Sequence, residues 1–542
     1  MTRRKINRDA NTQKTDHPRA IVFVSSEAAP YSKTGGLGDV VGSLPIALAS
    51  RGHRVMVITP HYQQYPGALP TGVRPTIQGE EITYYHEIRE GVDWVFASHP
   101  SFMRPGGIYG DENGEYGDNQ WRFCLLSHAA LEAPLLLQLP TNAAAVDGGG
   151  AVPTPTSTYG EDVVFVANDW HAGLVPVLLA SHYRRYGVYQ PARCILAIHN
   201  LKHQGVYSPG SFATLGVPED WAPTLDWKYP IGSRMGPPEE KGHAVNTLKG
   251  AICTADRIMT VSPSYAEEVL TAEGGWLMEN VLGSRRMKLN GILNGVDPDE
   301  WHPAVDPHLE FKYGEPVGKK AKGKKKEKDV LAGKALNKEA LQKELGLEVN
   351  PNIPLVAFIG RLDSQKGAEL VLKAVPWLSS HNVQMVCLGA GDKGLEDWMK
   401  QLEMAYPNHF RGWVGFNVAF SHRLNAGADI FLMPSRFEPC GLNQMYAQIY
   451  GTVPVVNNTG GLRDTVEQVG RAGEEGTGWV MRECSEDALK EACWGALELF
   501  RHDKEAWRKV MLRGMAKDFT WNNAAQQYEQ IFDWAKVDAP YC

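Results

Sequence analysis

The residue types best suited to chemistry lie in a few short loops. The first is Lys33-Thr34-Gly35-Gly36-Leu37-Gly38-Asp39. Glycines at 35, 36 and 38 let a backbone come close to a ligand and adopt positive φ. A helix that starts there offers unpaired N–H groups and a positive dipole end to an anion. Lys33 adds a full positive charge, and Asp39 can cap the helix or accept a sugar hydroxyl. The spacing is neither G-x-G-x-x-G nor G-x-x-x-x-G-K-[ST], so the dinucleotide fingerprint and the P-loop are both absent. Alone, the loop reads as well as a tight turn as it does as a phosphate cradle.

A second loop, Gly360-Arg361-Leu362-Asp363-Ser364-Gln365-Lys366-Gly367, lies far along the chain. Arg361 can grip two phosphate oxygens and Lys366 supplies a compact charge; the plain alternative is two surface cations. A third, Ser435-Arg436-Phe437-Glu438-Pro439-Cys440-Gly441-Leu442, leads into a helical pattern. Glu438, fixed by Pro439, would set a carboxylate against sugar hydroxyls and beside positive charge developing at an anomeric carbon. Gly441 and Leu442 would present N–H groups, and the alternative is a simple helix cap. Asn168-Asp169-Trp170-His171 and Ile198-His199-Asn200 put polar clusters after two apolar runs. No His/Cys/Asp set has metal-ligand spacing, so no bound metal is expected. No G-x-S-x-G elbow appears.

The surrounding pattern must position these loops. Ala20 to Ser25 reads as a buried strand, then comes the glycine turn, then a helix with Val40, Leu44, Ala47 and Leu48 on one face, then a strand from Arg54 to Ile58. The alternation returns with strands at Leu355–Ile359, Val383–Leu388, Asp429–Met433 and Val453–Val456 and a helix near Ala368–Leu378. The fold class is therefore α/β with two parallel sheets, and 542 residues exceed one ordinary core. The expected organisation is a tail (1–18), a first domain (19–303), a linker (304–350), a second domain (351–515) and a C-terminal segment (516–542) whose helix could pack back on the first domain. Lys319 to Lys328 reads as a solvated insertion in the linker, and residues 140–160 as a mobile loop. Two half-sites in one chain suggest a cleft holding a phosphorylated ligand. The net charge of −7 argues against nucleic acid, and no apolar run is long enough to span a membrane. The eight cysteines form no C-x-x-C pair, which fits a reducing compartment. The basic, polar N-terminus has no secretory h-region and reads as a tail or a transit-peptide remnant.

Taken together, the segments SKTGGLGDVVGSLP, NDWHAGLVP, IHNLKHQGVYSP, TADRIMTVSPSYAEEV, ILNGVDPDEWHP, FIGRLDSQKG, PSRFEPCGLNQMYAQIYGTVPVV and TGGLRDTVE closely resemble the starch and glycogen synthase family, over about residues 20 to 530. The resemblance implies a GT-B fold, two Rossmann-like domains with the active site in the cleft between them. It also implies retaining transfer of glucose from ADP-glucose to the non-reducing 4-OH of an α-1,4-glucan. Lys33, Gly35 and Gly36 would meet the donor, and Asp39 and Asn200 would line the sugar side with His171 close by. The His199 backbone carbonyl would lie under the anomeric carbon, and Asn294 would join the substrate-binding set. Arg361 and Lys366 would neutralise the diphosphate. Glu438 would hold the glucose 3- and 4-hydroxyls, with N–H groups of Cys440, Gly441 and Leu442 nearby.

The resemblance implies no cofactor and no metal. The partners it implies are a nucleotide sugar and amylopectin, amylose or glycogen, with granule association left open, in a plastid stroma or a cytoplasm. Many retaining GT-B enzymes carry a second glutamate eight positions after the first, which this family usually lacks; here that position is Tyr446. The lysine-rich insertion departs from the family's shorter linker. The competing readings are a GT-B transferase using UDP-glucose or another acceptor, and a catalytically idle glucan-binding or granule-initiating protein.

Overall fold

The computed structural model describes residues 13–141, 156–230, 242–315, 324–470 and 473–541. It divides into two compact units. The N-terminal unit takes the chain to Val261, then Ala266–Gly295, then everything from Trp521 onward; the C-terminal unit is Val296–Thr520 with the short piece Ser262–Tyr265.

The N-terminal unit is built on a nine-stranded sheet. Its strands are β1 (Ala20–Val24), β2 (Arg54–Pro60), β3 (Leu69–Pro70), β4 (Thr83–Arg89), β5 (Val92–Ser98), β6 (Val163–Asn168), β7 (Arg193–Ile198), β8 (Arg257–Thr260) and β9 (Leu289–Gly291), in the order β9-β8-β7-β6-β1-β2-β5-β4-β3. All neighbours from β9 to β5 run parallel, and β4 and β3 add an antiparallel margin. Every residue of β6 and β7 is buried, as a parallel sheet covered on both faces requires. Helix α1 (Gly36–Ser50) follows β1 and buries Val40, Val41, Leu44 and Leu48.

The C-terminal unit has a six-stranded, wholly parallel sheet. Its strands are β10 (Leu355–Ile359), β11 (Gln384–Gly389), β12 (Phe410–Val414), β13 (Ile430–Met433), β14 (Val453–Asn457) and β15 (Trp479–Met481), ordered β12-β11-β10-β13-β14-β15. Helix α2 (Lys324–Glu344) precedes the sheet, α3 (Ala368–Ser380) follows β10, and α4 (Val418–Gly427) and α5 (Asn443–Ile449) flank β13. In both units the candidate residues sit on loops leaving the carboxyl ends of parallel strands, the edge where ligands bind in open α/β sheets.

One expectation changes. The lysine-rich segment is helical from Lys324 onward, as the start of α2, and the rest of it lies outside the described residues. Further along α2, the buried Lys338 pairs with Asp429 at 2.7 Å and Lys334 donates to Thr452 Oγ1 at 2.7 Å, so this helix is fastened to its unit. The last helix, α6 (Trp521–Val537), joins the N-terminal core: Trp521, Tyr528 and Phe532 pack in one cluster with Leu44 and Leu48 of α1. The tail before residue 13 and most of the 140–160 loop lie outside the described residues.

Candidate active site

The loop after β1 folds around a carboxylate. Glu27, 3% exposed, accepts from the Thr34 N–H (2.6 Å), the Thr34 hydroxyl (2.7 Å), the Gly35 N–H (3.1 Å) and the Tyr109 hydroxyl (2.6 Å). Two bonds on each oxygen fill its acceptor capacity. The Thr34 and Gly35 amides, just before α1, are therefore engaged by Glu27 and not open to an anion. Gly35, Gly36 and Gly38 do not adopt positive φ either; Gly35 is extended at φ −150°, ψ −164°. Space is the reason for glycine instead. A Cβ on Gly38 would lie 3.0 Å from Lys33 Cγ, whereas at Gly35 and Gly36 it would meet no protein atom within 4 Å, so their backbone is open to approach. Lys33 Nζ lies 2.6 Å from the Asp39 carboxylate, and α1 has no side-chain cap, so Asp39 serves the cation and not the helix end. Burial raises the Asp39 pKa, with Lys33 opposing.

The ends of β6 and β7 are laced together. Asp169, at φ +55°, accepts the backbone N–H of His199 at 2.7 Å and that of Asn200 at 3.4 Å on one oxygen. Burial pushes its pKa up to about 7, against the pull of those two N–H groups and with a push from Glu27. Asn168 donates its amide to Val24 O and Val166 O, leaving its Oδ1 to accept from His199 Nε2 at 2.9 Å. That assigns the proton of the neutral ring to Nε2. Burial pushes His199 down to about 4, so the imidazole is uncharged at neutral pH. His171 stacks on Tyr109 (4.9 Å, 27°) and meets Phe123 edge-on (4.8 Å, 79°). Burial, then His203 and His199, hold its pKa well below the ordinary value. His171 Nδ1 and Asn294 Oδ1 are buried without a hydrogen-bond partner among the described residues.

In the C-terminal unit, the loop from β10 to α3 turns at Gly367, φ +66°, where a Cβ would lie 2.3 Å from Pro434 O. The turn brings Lys366 against the loop after β13. Its Nζ lies 2.6 Å from Glu438 Oε2, which also accepts from Ser435 Oγ at 3.0 Å. Glu438 is 6% exposed, whereas the Arg361 side chain is 63% exposed and steadied by Asp363 (3.2 Å) and Gln365 (3.1 Å). Cys440 is buried. Gly441 adopts φ +72°, and Gln444 donates to Cys440 O (3.0 Å) and Gly441 O (3.1 Å), fixing the Cys440-Gly441-Leu442 loop at the start of α5. Asn443 Nδ2 ties the same start to Ile359 O at the end of β10 (2.9 Å).

The predicted residues thus fall into two groups, one per unit. In the first, Lys33 pairs with Asp39, and His199 and Asn200 share Asp169; in the second, Lys366 pairs with Glu438 beside Arg361. Sequence reasoning passed over Glu27, Tyr109 and Gln444, and gave Asp169 no role. A carboxylate directly after a buried strand was the available signal for Glu27; Tyr109, from a distant loop, left none. Among the described residues no group of three or more His, Cys, Asp or Glu side chains is placed to hold a metal ion, and no helix is long and apolar enough to cross a membrane.

Comparison with known proteins fits this geometry. Residues 20–284 match the starch synthase catalytic domain and residues 337–506 the glycosyl transferases group 1 family. The chain is 51% identical to soluble starch synthase 1 of Oryza sativa subsp. japonica over 536 residues, 96% of this chain and 79% of that one. It is 42% identical to granule-bound starch synthase 2 of Pisum sativum, over 95% of this chain and 65% of that one. The solved catalytic domain of starch synthase IV from Arabidopsis thaliana, bound to ADP and acarbose, superposes with a TM-score of 0.77 at 30% identity, covering 96% of this chain and all of that one. Two parallel-sheet units with their polar groups at the carboxyl edges define a glycosyltransferase of the GT-B fold. Within that class, the chain belongs to the starch synthase family.

Proposed function

We propose that this chain transfers glucose from ADP-glucose to the non-reducing 4-OH of an α-1,4-glucan, with retention at the anomeric carbon. The observation that carries the reading is the Lys366–Glu438 pair beside Arg361 at the carboxyl edge of one sheet. It sets diphosphate-binding cations next to a carboxylate able to take sugar hydroxyls. As the bond from C1 to the phosphate oxygen breaks, ADP leaves with the electron pair, and charge grows on its β-phosphate. Arg361 and Lys366 stabilise that charge most in the transition state, which is where binding becomes catalysis. The acceptor 4-OH attacks C1 on the face ADP departs from, and its proton passes to the leaving phosphate oxygen, so no enzymic base is needed.

In the N-terminal unit, Asp169 holds the Asn200 N–H, which shares a peptide plane with the His199 carbonyl. A trans peptide sends that carbonyl the opposite way from the N–H, so Asp169 sets its direction. The carbonyl then faces the oxocarbenium-like carbon. Lys33, Gly35, Gly36, Asp39, His171 and Asn294 serve donor and acceptor in the roles expected from the family. The ADP found on the Arabidopsis starch synthase IV domain supports adenine as the donor base. Relatives named chloroplastic/amyloplastic support a plastid location, with amylopectin, amylose or glycogen as acceptor and granule association as a further property. The reading uses neither metal nor cofactor.

Purified protein with ADP-glucose, glycogen and EDTA should release ADP and lengthen chains in step. Transfer no higher than a protein-free blank would remove the reading, and a faster rate with UDP-glucose would overturn the nucleotide assignment.

A further inference from the structure

Just after the chain enters the C-terminal unit, Trp301 fills a slot between two helices. Its ring lies 3.7 Å from Tyr446 of α5, the planes 4° apart, and on its other face 3.8 Å from His422 of α4, at 14°. The backbone bond from Trp301 N–H to Asp297 O (2.8 Å) fixes the turn that carries the indole. His422 is held from behind: its Nδ1 lies 2.8 Å from Asp306, which also accepts from the Tyr450 hydroxyl at 2.6 Å. The slot therefore has one rigid wall, and the wall facing it is α5.

That second wall is one helical turn from the donor loop. The Tyr446 N–H donates to Leu442 O at 2.9 Å, Gln444 grips Cys440 O and Gly441 O, and Asn443 holds the end of β10, the strand that leads to Arg361. Helix α5 has only seven residues, so contacts with its surroundings, and not its own hydrogen bonds, must hold it in place.

We propose that Trp301 is a positioning residue for donor binding: clamped between His422 and Tyr446, it sets the angle of α5 and with it the Cys440-Gly441-Leu442 loop that meets the nucleotide sugar. The proposal rests on the functional reading above, in which that loop serves ADP-glucose. Trp301 itself touches no substrate. A purely structural tryptophan would lower stability and leave the kinetic constants alone; a positioning one acts on donor affinity and spares the acceptor.

The test uses the full chain with Trp301→Leu, which keeps apolar bulk without a ring, and Trp301→Phe, which keeps a ring. An aromatic pair contributes enough that the leucine variant should weaken ADP binding by calorimetry, and raise the KM for ADP-glucose, about 3- to 10-fold. The KM for maltoheptaose and kcat should stay near wild type, and the phenylalanine variant should recover most of the donor affinity. Should the leucine variant fail to fold, Tyr446→Leu removes the same stack from the α5 side and must show the same donor-selective loss. Wild-type ADP affinity in a folded leucine variant, or equal changes in donor and acceptor KM, overturns the proposal. Wild-type protein that binds no ADP overturns the functional reading itself, a separate result.

Discussion

Asp169 is a carboxylate whose two jobs depend on its charge. Burial raises it to about 7, from ~3.9 in an unfolded chain. The fold therefore favours its protonated form. Its contribution to stability is complete below the unfolded pKa and is lost as pH rises through about 7. Asparagine cannot ionise, so the melting temperature of Asp169→Asn should gain on wild type as pH climbs from about 5 to about 8; a constant gap would show that Asp169 does not titrate there. Turnover should respond in the opposite sense. The ionised form is the stronger acceptor for the His199 and Asn200 N–H groups, so wild-type kcat should fall on the acid side of about pH 7. The variant should lack that limb and run on the order of 10-fold slower or worse, as for a lost charged hydrogen bond. His199, held neutral down to about pH 4, contributes no limb near 6.5. In the other unit, Lys366→Ala should cost on the order of 10²-fold or more in kcat, as for a lost oxyanion donor. A rate within a few-fold of wild type would take Lys366 out of the transition state.

At the scale of the element, the strand-to-helix loops decide whether these groups meet. Gly367 carries Lys366 from β10 into α3 at φ +66°, with Pro434 O where a Cβ would sit. Gly367→Ala should therefore destabilise the C-terminal unit by about 1–3 kcal/mol, from a strained left-handed residue plus the clash. The measurement is a urea midpoint, and an unchanged one would mean the loop can rearrange. This glycine was legible in the sequence as the end of a phosphate-type loop, and the strands β1, β2, β10 and β14 were legible from their apolar runs between turn residues. The N-terminal glycine loop misled, because a Gly-rich turn looks the same whether glycine is needed for positive φ or only for space. Glu27 and Tyr109 were hidden because their contact joins loops more than eighty residues apart, which no local pattern records. The lysine-rich segment gave no helical signal because its charges mask the periodicity of the buried positions further along α2, where Lys334, Lys338 and Leu341 pack.

At the scale of the whole molecule, the chain closes its first unit with its last helix. Arg51 at the end of α1 makes a two-pronged bond to Glu529 of α6 (2.7 and 2.8 Å), His53 adds a third contact at 3.0 Å, and Phe532 is fully buried in the N-terminal core. Gly295 has no room for a side chain because a Cβ would lie 2.6 Å from Trp521 Cα. The N-terminal core therefore cannot be completed until residues 521–535 are made, and contacts this far apart in sequence form slowly. The C-terminal core has no such dependence, since its clusters draw only on residues between 301 and 515. A defect in α6 should accordingly be felt in one unit alone. Phe532→Ala should cost about 3–5 kcal/mol, as buried aromatic truncations do. Hydrogen exchange reads out where: amides of β1 and β6 should exchange faster, while those of β10 and β13 keep wild-type protection. Equal loss of protection in both sheets would mean that the two units unfold together, and that α6 supports more of the molecule than the sheet it covers.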